Sequence, residues 1–165
     1  MSIAEEDLVR EIEAAFSEVP YPGGNNIAYS LTDFEATQYR SDLEAKHWKN
    51  IVEPTFLRRH SGFQWFSLAG LTFYLPAILV GAVKYPRESA EWCEPLLLLL
   101  YAPDWCAVGL RLTDQLINTL TKRQKHTIRL FLEHLLQREP QNWISPEVPG
   151  NQISLMLANC WGQFD

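Results

Sequence analysis

The amino-acid sequence predicts an all-α fold, a compact orthogonal domain of several helices, on three observations. Apolar residues recur at helical spacing in several segments, capping sequences precede two of them, and no segment alternates apolar and polar residues as a strand does. An uncharged run over residues 66–83 predicts a central apolar helix that Pro76 kinks or interrupts. The 165 residues are 47 % hydrophobic and 21 % charged, which indicates a single globular domain spanning residues 1–165.

Two helices are predicted in the N-terminal third of the chain. The first begins at a capping box within the first five residues and ends at a turn rich in proline, glycine and asparagine. The second is predicted to begin at Ser30 or Thr32 and to end near His47. Most of its residues are polar, with Phe34 and Leu43 as its apolar anchors, so we expect it on the outside of the domain.

The middle of the chain is predicted to supply the core. Pro54 favours the first turn of a short helix ending at Leu57, because a residue in that position leaves its N–H unbonded in any case. The central helix is predicted from about Ser67 to Lys84, and a further apolar helix over Glu91–Tyr101. These two helices carry the longest apolar runs of the chain.

A membrane-spanning helix is the rival interpretation of residues 66–83, because eighteen residues reach about 27 Å in an α-helix. Trp65 and Tyr85 would then lie at the two interfaces. Basic residues flank the run on both sides, however, so the positive-inside asymmetry is missing, and the neighbouring segments are amphipathic. We therefore expect no membrane association. The acidic start of the sequence also lacks a signal peptide, which predicts a cytoplasmic location.

Three helices are predicted in the C-terminal third. Residues 103–112 are predicted to form a loop, and Thr113 to cap a short helix after it. A capping box at Thr121–Gln124 begins the best-patterned helix of the chain, and Asn151 is predicted to cap the last one. The buried stripe of the long helix is predicted to be Ile128, Phe131, Leu132 and Leu135.

No residue pattern predicts catalysis, a metal or a cofactor. His126 and His134 lie eight residues apart, about 12 Å along a helix, which is too far for one metal ion. The three cysteines form no CxxC pair and are odd in number, so they are predicted to be reduced, buried thiols: Cys93, Cys106 and Cys160. We predict no catalytic residues, no metal ligands and no cofactor.

Charge is spread unevenly along the chain. Residues 1–57 carry eleven acidic and four basic side chains, whereas residues 121–138 carry five basic and one acidic. Lys122, Lys125 and Arg129 would follow one edge of the long helix, but a net charge of −6 disfavours binding to nucleic acid, and none is expected. The two regions could instead pair within one molecule or between two copies, so a homodimer is possible.

Aromatic and imidazole side chains cluster in sequence around the start of the central helix. Such residues usually fill a core, but they can also line a ligand pocket. If a small-molecule site exists, we expect it at His47, Trp48, His60, Trp65 and Tyr74.

Several short motifs resemble a family of small, acidic bacterial proteins of unknown function. They are Ala15-Phe16 followed by two prolines, Lys46-His47-Trp48, the Tyr-Leu-Pro-Ala motif at residues 74–77, and Leu120-Thr121. The Tyr-Leu-Pro-Ala motif is the most specific of them. The resemblance implies a soluble bacterial protein and no particular activity.

The leading functional hypothesis is a non-enzymatic protein-interaction module, such as an immunity protein or an inhibitor. An acidic helical surface would bind a basic protein partner, with charge raising the association rate. The acidic residues expected to bind are Asp33, Glu35, Asp42 and Glu44. The alternative is a small-molecule-binding protein or an enzyme with an aromatic pocket near residues 47–76.

Overall fold

The computed structural model describes residues 3–101, 107–138, 150–159 and 161–164. Within these ranges the chain forms α1 (Ile3–Ala15), α2 (Phe34–Leu43), α3 (Pro54–Arg59), α4 (Leu68–Lys84), α5 (Ala90–Tyr101), α6 (Ala107–Thr119), α7 (Lys122–Gln137) and α8 (Gly150–Asn159). The same ranges contain no strand, and one isolated antiparallel bridge joins Ala28 to Phe66. The all-α prediction is confirmed.

Helix α4 is the centre of the packing. Every residue from Gly70 to Val83 is buried, and the helix packs against α1, α3, α5 and α6. The Ser67 hydroxyl caps it by accepting a hydrogen bond from the Gly70 N–H at 2.9 Å. A Cβ at Gly70 would lie 2.0 Å from the carbonyl oxygen of Ile27, so glycine is needed where the chain crosses the start of α4. Among the described helices, none has both the length and the hydropathy required to cross a bilayer.

Pro76 lies inside α4, and the helix continues through it. The alternative in which the helix stops and restarts at Pro76 is therefore wrong. Pro76 cannot donate to the Thr72 carbonyl four residues earlier, while the Thr72 hydroxyl donates to the Leu68 carbonyl at 2.8 Å. A kink at this position remains a prediction.

Helix α2 is shorter than the sequence suggests at both ends. Its N-cap is Asp33 and not Ser30 or Thr32, and its last residue is Leu43. The helix ends because Glu44, with φ of −53° and ψ of 133°, leaves the helical region, and Ala45 follows with φ of +59°, a left-handed conformation. His47 then begins the 3-10 turn Trp48–Asn50.

The two apolar anchors predicted for α2 differ in outcome. Leu43 is fully buried, as expected. Phe34 is 77 % exposed, so its assignment as an anchor is wrong. Helix α3 begins with Pro54 in its first turn, as predicted, but extends to Arg59.

Helix α6 departs furthest from what the sequence predicts. Residues 107–112, predicted to be loop, are its first part, and Thr113 lies inside the helix instead of capping it. The Thr113 hydroxyl donates a hydrogen bond to the Leu99 carbonyl of α5, so its polar group serves packing between two helices. Residues 103–106 lie outside the described residues.

The capping box that begins α7 is confirmed. The Thr121 hydroxyl accepts from the Gln124 N–H at 3.2 Å, and the Gln124 side chain accepts from the Thr121 N–H at 2.9 Å. The predicted apolar stripe of α7 is fully buried. Asn151 lies within α8 and does not precede it, because the helix begins at Gly150.

The remaining local predictions fall partly outside the described residues. Cys93 is buried, and desolvation raises the pKa of its thiol to about 12, which suits the predicted inert thiol. Cys106, Cys160 and Ser2, the first residue of the predicted N-terminal capping box, are not among the described residues.

Candidate functional site

The acidic residues predicted to bind a partner lie on α2 and at its ends, but they differ in environment. Asp33 is the N-cap, and its side chain accepts a hydrogen bond from the Ala36 N–H at 3.1 Å. Glu35 and Glu44 are exposed, and neither forms an ion pair with another described residue. These two carboxylates are therefore available at the surface, whereas Asp33 also stabilises its own helix.

Asp42 contacts α3 instead of facing solvent alone. Its Oδ2 lies 3.2 Å from both His60 Nε2 and Arg59 Nη2. His60 is buried, its Nδ1 lies 2.9 Å from the Phe56 carbonyl oxygen, and its ring stacks on Phe56 with centroids 4.2 Å apart. Tyr39 meets the same ring edge-on at 5.0 Å. Both ring nitrogens of His60 thus face oxygen atoms of the protein, and neither points to a ligand in this arrangement.

The Tyr74 hydroxyl hydrogen-bonds to the turn that follows α2. Its oxygen lies 2.8 Å from the Leu43 carbonyl and 2.9 Å from the Lys46 carbonyl. Desolvation raises the pKa of Tyr74, so the hydroxyl stays protonated and can donate to one of the two carbonyls. The side chain therefore holds the end of α2 against the core helix.

The other aromatic candidates beside this turn pack on one another. Trp48 is buried, and the His47 ring contacts it at a centroid distance of 5.4 Å. Phe73 meets His47 edge-on at 5.4 Å, and Tyr21 meets Phe73 in the same way at the same distance. His47 Nδ1 also accepts from the backbone N–H of Lys49 at 3.2 Å. The structure thus brings His47, Trp48 and Tyr74 together, and each has a packing or capping role.

Trp65 belongs to a different neighbourhood, a surface that the sequence analysis did not identify. Its ring stacks on Tyr29 with centroids 5.9 Å apart and an interplanar angle of 20°. Tyr29 is 54 % exposed, Leu31 is 54 % exposed and Phe34 is 77 % exposed. Among the described residues, these are the three most exposed large apolar side chains, and they lie within six positions of one another.

We call Tyr29, Leu31 and Phe34 the apolar strip. The available signal in the sequence was weak, because Leu31 and Phe34 are isolated apolar residues in a polar segment. Phe34 has no apolar residue three or four positions after it with which to continue a buried stripe. Such isolated residues indicate either an anchor or a contact surface, and only the packing decides between them.

Two basic residues, Arg123 of α7 and Arg138 directly after it, pair with carboxylates of α1. Arg123 Nε lies 2.8 Å from Glu11 Oε1, and Arg123 Nη2 lies 3.0 Å from Glu11 Oε2, a bidentate pair. Arg138 pairs with Glu5, and both side chains are largely buried. The hydrogen bond from Arg123 lowers the pKa of Glu11. Desolvation of the carboxylate opposes this shift but does not cancel it. The intramolecular pairing expected for the two charged regions is therefore present.

The rest of the basic edge of α7 also has contacts within the chain. Arg129 pairs with Glu133 at 2.8 Å. Lys125 Nζ lies 4.9 Å from the centroid of the Phe164 ring, and His126 Nδ1 lies 3.2 Å from the Phe164 carbonyl oxygen. These contacts reduce the positive charge that the helix presents to solvent.

The described residues contain no group of three or more histidine, cysteine, aspartate or glutamate side chains arranged to hold a metal ion. His60 and Asp42 form the closest approach of an imidazole to a carboxylate among the predicted site residues. Because His60 is buried and hydrogen-bonded to Asp42, the evident effect of the pair is to join α2 to α3. The apolar strip and the carboxylates beside it, in contrast, are accessible to a partner.

The fold and this surface describe an all-helical protein with an exposed apolar and acidic face. The chain belongs to a family of unknown function, DUF6714, whose model matches residues 4–163. No curated protein and no solved structure matches the chain significantly.

Proposed function

We propose that the chain is a non-enzymatic protein-interaction module that binds a basic partner protein through the apolar strip and the carboxylates beside it. The observation that carries this proposal is the exposure of the strip. Large apolar side chains that are more than half exposed and close together in the sequence indicate a contact surface. The strip would form the desolvated centre of the interface, with a polar rim around it.

The charge around the strip indicates the sign of the partner. Residues 17–45 contain five acidic side chains and one basic side chain, Arg40. Glu35 and Glu44 are exposed at opposite ends of α2, so both carboxylates can lie on the rim of an interface. A basic partner would be attracted by them before contact, which raises the association rate more than the final affinity.

The distribution of ion pairs supports α2 over α1 as the contact region. Glu5 and Glu11 of α1 already neutralise Arg138 and Arg123. Glu35 has no such partner among the described residues. A role resembling that of an immunity protein or an inhibitor, which neutralises a basic protein by binding it, fits this surface.

The test is affinity capture from a lysate of the native host, with bound proteins quantified by mass spectrometry. Two variants change the proposed surface: Leu31→Ser with Phe34→Ser, and Glu35→Lys with Glu44→Lys. Two matched controls change exposed residues elsewhere: Leu136→Ser on α7 and Glu6→Lys on α1. Asp33 and Asp42 are left intact, because Asp33 caps α2 and Asp42 binds His60.

We expect both surface variants to lose the same basic partner that the two controls retain. Capture of an identical set of proteins by the wild type and by both surface variants would contradict the proposal. Loss of the partner in the controls as well would point to a general effect on folding or charge, and would equally count against this surface.

A further inference from the structure

The stacked pair of Tyr29 and Trp65 has a fixed position at the edge of the apolar strip. The Tyr29 N–H donates to the Trp65 carbonyl at 3.1 Å, and the Ser67 N–H donates to the Ile27 carbonyl at 2.9 Å. These two bonds flank the antiparallel bridge between Ala28 and Phe66. Because the backbone holds both rings in place, a partner that binds them has little ordering to impose.

Carboxylates lie beside this aromatic pair. The pKa of Tyr29 is raised, first by desolvation of its hydroxyl, then by the charge of Asp33 and a hydrogen bond to its carboxylate, and last by the charge of Glu35. Asp33 is fixed in position because it caps α2, and Glu35 lies in the first turn of the helix. A cation bound at Tyr29 would therefore meet an aromatic ring and two negative charges together.

The basic side chains nearest in sequence to the two rings, Arg40, Arg58 and Arg59, each have a contact elsewhere within the chain. Arg40 is the one basic side chain between residues 17 and 45, and its Nη1 lies 3.4 Å from Asn25 Oδ1. Exposed aromatic rings next to carboxylates are the surroundings that a guanidinium group favours, since it can stack on a ring and pair with an oxygen at the same time.

We propose that Tyr29, Trp65, Asp33 and Glu35 form a recognition site for an arginine side chain of the partner. This inference rests on the proposed function and names the chemistry of its central contact. The planar guanidinium would lie against the Tyr29 ring and donate hydrogen bonds to the carboxylates. Leu31 and Phe34 would contact apolar side chains next to that arginine, or its own methylene groups.

Lysine is a weaker candidate for the same site. Its ammonium group carries the same charge but is strongly hydrated and cannot stack as a plane. Citrulline has almost the shape of arginine and no charge. A comparison of the three side chains therefore separates shape, charge and stacking.

The test is a titration of the full chain by ¹H–¹⁵N NMR with three acetylated, amidated pentapeptides, Gly-Leu-X-Leu-Gly, in which X is arginine, lysine or citrulline. We expect the arginine peptide to shift the Trp65 indole signal and the backbone signals of residues 29–35. Tyr29→Ala should weaken its binding about fivefold, the size of a cation–π contact of about 1 kcal/mol. Glu35→Gln should also weaken it, whereas Tyr29→Phe and the control Glu6→Gln should not.

The outcomes separate this inference from the proposed function. Equal binding of the arginine peptide and either the lysine or the citrulline peptide would overturn the assignment of an arginine site. Absence of these shifts, together with a captured partner that still depends on Phe34, would overturn the inference and leave the interaction module standing. Absence of both the shifts and a Phe34-dependent partner would overturn both. The ¹H–¹⁵N spectrum of free Tyr29→Ala, compared with that of the wild type, distinguishes loss of recognition from loss of structure.

Discussion

Helix α1 and the region around α2 are both acidic, but their charges have different surroundings. On α1, Glu5 and Glu11 pair with arginines of α7 that lie more than 110 positions away in the chain. Around α2, Glu35 faces solvent beside the exposed rings of Tyr29 and Phe34. Glu5 and Glu11 of α1 therefore contribute to the fold, whereas Glu35 of α2 remains at the surface with apolar neighbours.

This difference shows how a charge excess should be interpreted in a small helical protein. Two carboxylates of the acidic N-terminal region pair with two arginines of the basic segment at residues 121–138, so neither total indicates a partner by itself. What indicates a partner is charge that remains after internal pairing, and Glu35 carries such a charge next to exposed apolar side chains.

The largest expected effect that separates the two regions concerns Glu5. Its side chain is 17 % exposed and that of Arg138 is 18 % exposed, so Glu5→Gln leaves a nearly buried guanidinium without its counter-charge. We expect a loss of about 3 kcal/mol in the free energy of unfolding, measured with urea. The matched change Glu35→Gln should alter stability by less than about 0.5 kcal/mol. Similar losses of unfolding free energy in Glu5→Gln and Glu35→Gln would contradict the different roles of α1 and α2 carboxylates.

The Glu11–Arg123 pair should give a smaller effect, because Arg123 is more exposed. A double-mutant cycle of Glu11→Gln and Arg123→Gln should yield a coupling of about 1 kcal/mol at low salt, decreasing in 1 M salt. Since the folded-state pKa of Glu11 is lowered from 4.5, this coupling is present above pH 4.5 and is lost as the pH falls through the lowered value. A coupling energy near zero at low salt would show that the pair does not contribute to stability.

Acidification should weaken the packing between α1 and α7, and so lower the free energy of unfolding, before it affects the apolar strip. The pKa of His134 is lowered from 6.5, first by desolvation and then by the charge of Arg138. The unfolded chain therefore binds this proton more readily, so stability should fall as the pH drops below 6.5. Urea titrations at pH 7.5, 6 and 5 should show this fall in the wild type and a smaller one in His134→Gln. Parallel pH profiles for the two proteins would contradict it.

The smallest expected change in stability is that of Phe34→Ser. A side chain that is 77 % exposed gains little from folding, so the free energy of unfolding should change by less than about 0.5 kcal/mol. The buried Phe131→Ser, at a position with no exposed surface, should cost at least 3 kcal/mol by comparison. Chemical denaturation of both variants checks the contrast, and a clear loss for Phe34→Ser would assign the residue to the core after all.

The sequence predicted those helices whose signals are local and consistent. The capping box at Thr121–Gln124 and the long apolar run of α4 each contain their own start signal and a clear pattern of burial. Helix α6 was misjudged because Thr113 resembles a cap, while its hydroxyl is satisfied by a carbonyl of α5. A side chain that bonds to another helix leaves no trace in the local pattern.

The candidate site was less predictable, for a related reason. Trp65 was grouped with His60 by proximity in the sequence, yet it stacks on Tyr29 at the surface while His60 is buried beside Asp42. Phe34 was expected to anchor α2, because an apolar residue on a polar helix usually does so. Which apolar residues remain exposed depends on the positions of distant elements, and a single sequence does not contain that information in its spacing.

The most direct test of the account makes the same charge reversal in both regions and measures stability and partner capture together. Glu11→Lys should lower the free energy of unfolding by more than 1 kcal/mol, because it places a cation beside Arg123, and should retain the captured partner. Glu35→Lys should leave stability within about 0.5 kcal/mol of the wild type and lose the partner. Retention of the partner by Glu35→Lys, or an equal loss of stability in both variants, would contradict the division of the charges between fold and surface.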